Sequence, residues 1–93
     1  MSSYFRDFSY NIFMEIFQRR LNELRKASGI SQKAFADILQ TNNSSICDWE
    51  RGRSQPDLET LAKIAVYFGV SSDYLLGLEN EFGEKLFQEK TLV

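Results

Sequence analysis

Histidine is absent from this 93-residue sequence, which also holds one cysteine and one proline. Without histidine, and with Cys47 alone, neither a zinc site nor a Cys/His or Ser/His catalytic pair can be assembled. A single thiol also rules out an internal disulfide, so cytoplasmic residence is the expectation. There is no basic-then-apolar leader and no apolar run of about 18 residues, so neither a signal peptide nor a membrane span is expected. The carboxylates are scattered, with no obvious cleft to pair them for acid–base work. The chain is therefore expected to be no enzyme and to need no cofactor or metal.

Charge is also scarce in one sense: the net value is −2. The deficit is local. Residues 14–77 balance eight Lys/Arg against eight Asp/Glu, whereas 78–93 sets Lys85 and Lys90 against Glu79, Glu81, Glu84 and Glu89. A neutral body can still carry a basic face, because local arrangement rather than the sum attracts phosphate. Composition alone thus leaves function open.

What is present is helical periodicity on the scale of one domain. In the first helix, expected near 14–28 with a possible upstream extension, Ile16, Phe17, Leu21 and Leu24 recur at helical spacing and Gly29 follows the end. Ser31 is placed to cap a second helix that runs to Leu39, and Asn42 a third that ends near Arg51 with Gly52 as its stop. Asp57 caps a fourth, with Leu58, Leu61, Ile64, Ala65 and Phe68 on one stripe and Gly69 after it. Ser71 caps a short fifth, closed by Gly77. Strand patterns are not evident. Residues 1–13 form an aromatic arm, and 78–93 an acidic tail in which Leu78, Phe82 and Leu86 suggest a short amphipathic helix broken in propensity by Gly83.

The stretch Ser31–Gly52, SQKAFADILQTNNSSICDWERG, is the most informative. Two short helices meet at a polar Thr-Asn-Asn corner, and the second starts with small hydrogen-bonding residues. That is the build of a helix-turn-helix, whose second helix enters the major groove of DNA. Together with PDLETLAKIAVYFGVSSDYLLG, it resembles the Cro/C1-type (Xre) helix-turn-helix domain of phage and bacterial repressors. The marks are Gln32, Ala36, Ile46, Trp49-Glu50-Arg51-Gly52, Pro56 and the closing Gly-Val-Ser…Tyr-Leu-Leu-Gly, and they cover about 14–77.

The resemblance implies an all-α, five-helix, lambda-repressor-like fold. The family usually has glycine at the corner between the second and third helices; here Gln40 stands there and is expected at positive φ, at a cost of about 1 kcal/mol. Arg25 and Glu50 match a buried salt bridge, with two solvated surface charges as the alternative. Gln32 and Asn42 match phosphate contacts at helix starts, Arg51, Arg53 and Lys33 are candidates for backbone attraction, and Asn43, Ser44 and Asp48 match base-reading positions. Ser45 is expected nearer the sugar–phosphate wall. A carboxylate facing DNA is awkward, and the competing role for Asp48 is an intrahelical pair with Arg51. Cys47 invites a redox role, but a small helix residue explains it equally well.

Such domains bind double-stranded DNA as dimers. The apolar residues Tyr4, Phe5, Phe8, Tyr10, Ile12 and Phe13 of the arm, and Leu78, Phe82, Leu86, Phe87 and Leu92 of the tail, are candidates for a homodimer interface, unless they merely complete the core. The function implied is that of a sequence-specific transcriptional regulator, a repressor that occupies promoter DNA. The alternative is a protein-interaction module on the same scaffold, such as an antitoxin or adaptor.

Overall fold

In the computed structural model residues 2–86 are described, with side chains from Ile12 onward. Five helices follow one another: α1 (Ser2–Ala27), α2 (Gln32–Leu39), α3 (Asn43–Arg51), α4 (Leu58–Phe68) and α5 (Ser72–Leu75). The expected all-α architecture is therefore found, with one change at its C-terminal end. The upstream extension allowed for the first helix is present: α1 starts at Ser2 and takes in the arm. Among residues 78–86 there is no helix; a tight turn brings Glu79 and Lys85 together in an isolated antiparallel bridge. Phe87 and Leu92 lie outside the described residues.

Capping residues set the helix starts. Ser31, Asn42, Asp57 and Ser71 each have extended backbone and accept a hydrogen bond from the amide three residues on, which satisfies one of the amides a helix start leaves unpaired. Helix ends are closed by left-handed residues, among which Gln40 (φ 60°) is the one non-glycine among the described residues.

The core is one cluster. Phe17 and Leu21 of α1 meet Phe35, Ala36 and Leu39 of α2, Ile46 and Trp49 of α3, Ile64 and Ala65 of α4, and Leu75 of α5, all buried. Ala36, 2 % exposed, is part of this core; a larger side chain there would overpack it. The stripe expected on α4 holds for Ile64 and Ala65, with Leu61 and Phe68 packed against the core. Leu58 departs from it at 84 % exposed, because it opens the first turn of α4 rather than lying within the packed length.

Candidate nucleic-acid interface

Helix α3 has two unlike faces. Ile46 and Trp49 are buried, pinning one side to the globule, whereas Asn43, Ser44 and Arg51 are exposed on the other, with Asp48 half-buried beside them. Positions 44, 48 and 51 are one turn apart, so these groups share a face by helical geometry. Ser45 and Cys47 lie between the two faces, half-buried.

The start of α3 is already organised. Asn42 Oδ1 accepts from the Ser45 amide at 2.8 Å and from the Ser44 hydroxyl at 2.9 Å. The Asn42 amide nitrogen keeps its donors, and the Ser44 oxygen is left presenting lone pairs. The Asn43 side chain makes no hydrogen bond among the described residues and stands exposed. The first amides of α2 and α3 carry the positive ends of their helix dipoles, a property suited to an anionic ligand.

Behind this face, Glu50 is a junction. Its carboxylate accepts from Arg25 Nε at 2.7 Å and Arg25 Nη2 at 3.1 Å, from Asn22 Nδ2 at 2.8 Å and from Gln32 Nε2 at 3.1 Å. Arg25 also donates to the Ile30 carbonyl at 2.8 Å. The side chains of Arg25 and Glu50 are 10 % and 5 % exposed, so the surface-charge alternative for this pair is set aside. Burial works against the Glu50 charge, but the bonds from Arg25, Asn22 and Gln32 and the Arg25 charge outweigh it and hold the carboxyl below its ordinary range. Gln32 is thus turned towards Glu50, with its second amide hydrogen left for another acceptor.

Asp48 pairs with Arg53 at 3.5 Å rather than with Arg51. The helix ends at Gly52, and the reversal there brings residue 53 back over the last turn. Lys33 pairs loosely with Asp37 at 3.9 Å, both strongly exposed, a contact worth little in water.

Two residues that sequence reasoning passed over hold α1 to its neighbours. Asn22 is one of the donors to Glu50. Arg20 lies 4.0 Å over the Tyr74 ring and donates to the Glu79 carbonyl at 2.7 Å and to the Tyr74 carbonyl, tying α1 to α5 and the tail. Ser71 donates to Glu79, and Lys85 pairs with Glu79 at 3.1 Å and with Asp73. A polar residue at a helix position flanked by core residues was the only signal for either.

Among the described residues no group of three or more His, Cys, Asp or Glu is placed to hold a metal ion, and no helix is long and apolar enough to cross a membrane. Comparisons with known proteins converge on one family. A helix-turn-helix family model matches residues 21–75. The HTH-type transcriptional regulator ImmR of Bacillus subtilis is 41 % identical over 59 residues, 63 % of this chain and 46 % of ImmR. The SPbeta prophage-derived regulator YonR of the same organism is 39 % identical over 61 residues, 66 % of this chain and 56 % of YonR. The chain thus spans about half the length of these curated relatives. The P22 c2 repressor, solved with the synthetic operator 9T, superposes with a TM-score of 0.62 at 32 % identity, over 64 % of this chain and 91 % of the repressor. A transcriptional regulator from Listeria innocua gives 0.64 at 28 % identity, over 82 % of this chain and 67 % of the regulator. With these likenesses and the capped, sharply cornered α2–α3 pair in hand, the chain belongs to the Cro/C1-type helix-turn-helix family.

Proposed function

We propose that this chain is a sequence-specific DNA-binding transcriptional regulator, a cytoplasmic repressor that occupies operator DNA as a homodimer with α3 in the major groove. The observation that carries this reading is the division of α3, with Ile46 and Trp49 pinned in the core and Asn43 and Ser44 held outward. Asn43 has the donor and acceptor needed for a bidentate contact to adenine, and Ser44 offers an acceptor to a base donor. Gln32, Asn42, Arg51, Arg53 and Lys33 supply the phosphate contacts that fix register, with Ser45 against the sugar–phosphate wall. The P22 c2 repressor meets its operator on a closely similar scaffold.

The test is binding to the DNA upstream of the protein's own coding region across a salt series. Log K should fall with log salt by about 0.9 per phosphate neutralised, with preference over random duplex. Asn43→Ala should relax that preference at one base pair by about 1–3 kcal/mol. Flat, unselective binding would refute the regulator and favour the second reading, a protein-interaction module. That reading is favoured by one feature: the exposed Ile38, Val66 and Tyr67 line an apolar groove between α2 and α4.

A further inference from the structure

We propose that Asp48 is a positioning residue for Arg53 and not a reader of bases, an inference that rests on the DNA-binding reading above. Helix α3 closes in a bracket of two backbone bonds: the Gly52 amide donates to the Trp49 carbonyl at 3.4 Å, and the Arg53 amide to the Asp48 carbonyl at 2.9 Å. Gly52 makes the reversal at φ 80°. This pattern returns residue 53 to a place beside residue 48, where helix ends of this kind usually make an apolar contact. Here the two facing side chains carry opposite charges, Arg53 Nη1 lying 3.5 Å from Asp48 Oδ1. Arg53 is therefore held twice by one residue, through its backbone and through its guanidinium.

The exposures are unequal in a useful direction. The Asp48 side chain is 39 % exposed and that of Arg53 61 %, so the acid is the more covered partner and the cation faces out. A guanidinium carries five N–H donors. One group turned to Asp48 leaves the others to meet a phosphate at the C-terminal edge of the docking helix. An unpaired carboxylate on that face would repel the duplex; paired, its field is largely cancelled. The other charged neighbours do not compete for it: Glu50 is engaged with Arg25, and Arg51 makes no ion pair among the described residues.

The experiment is a cycle of the wild type, Asp48→Asn, Arg53→Ala and the double variant. The probes are a duplex selected by the wild type from a random pool and a scrambled duplex, at stepped sodium chloride. Both side chains are exposed enough that melting curves should confirm folding in all four proteins. Arg53→Ala should weaken binding to both duplexes and flatten the salt slope by about 0.9. Asp48→Asn should weaken binding to both duplexes about threefold when Arg53 is present, with base preference kept, yet strengthen binding about threefold in the Arg53→Ala background, where the carboxylate stands alone. Relaxed preference at one base pair in both backgrounds would make Asp48 a base reader and overturn the proposal. So would equal effects of Asp48→Asn with and without Arg53.

A readout without DNA separates this inference from the function it rests on. The heteronuclear NOE of the Arg53 Nε–Hε group should fall on Asp48→Asn. An unchanged value would sink the tether even if the wild type binds its duplex, whereas a wild type that selects no duplex would sink the regulator reading with the tether intact.

Discussion

At Gln40 the chain adopts φ 60° and ψ 44°, a conformation that glycine takes at little steric cost and other residues at about 1–2 kcal/mol. Gln40→Gly should therefore raise stability by about 0.5–1 kcal/mol, read from urea midpoints; a loss would mean the glutamine side chain makes up the strain. The bend was legible despite the missing glycine, because the resemblance marks this corner as a left-handed position and Gln40 stands where the family usually has glycine. Glu50 makes a different forecast. Its carboxyl is held below its ordinary value of 4.5, so its contribution is fully present above about pH 4.5 and is lost as pH falls through the lower, folded value. Glu50→Gln should cost about 3 kcal/mol at neutral pH, since Arg25 keeps a buried charge without its counter-ion. The gap between variant and wild-type midpoints should close only in acid; a gap constant down to pH 3 would contradict this account. The pair itself could be anticipated by resemblance, but Asn22 and Gln32 could not, because donors join a junction only once three helices have converged.

Helix boundaries were legible wherever a side chain decides them. Ser31, Asn42, Asp57 and Ser71 all cap as their chemistry requires. Asn42 allows its two roles to be separated. Asn42→Asp keeps a good capping oxygen and should alter stability by no more than about 0.5 kcal/mol, while the new negative charge should weaken DNA binding, most at low salt; thermal melts and binding curves on the same variant check this. The tail was misread for a physical reason. Leu78, Phe82 and Leu86 have helical spacing, but Asn80 Oδ1 accepts from the amides of Phe82 and Glu84 at 2.9 Å each, and Gly83 sits at φ 81°. Turn chemistry of that kind outcompetes a single apolar stripe. The ion-pair partner of Asp48 was sought along the helix, at Arg51, whereas the Gly52 reversal supplies Arg53 from beyond it. The folded tail depends on Arg20: Arg20→Ala should speed amide exchange across 78–86 and cost about 1–3 kcal/mol, while unchanged exchange there would show that the Lys85 contacts suffice.

On the scale of the whole molecule, the family and the position of α3 were readable because each follows from short-range spacing. Assembly was not, since it depends on surfaces that no periodicity names. Phe82 is 82 % exposed and Leu86 50 %, leaving the tail with apolar surface of the sort that a second subunit covers. Sedimentation at tens of micromolar should show dimers, and the selected DNA should carry two half-sites about 34–36 Å apart; monomers that bind a single half-site equally well would contradict the dimer. The junction at Glu50 has a consequence for how the protein comes apart. One carboxylate fastens the second and third helices to the first, so the three should open together. Their slowest amides should exchange only through global opening, and a protease should find either the entire head intact or the entire head lost.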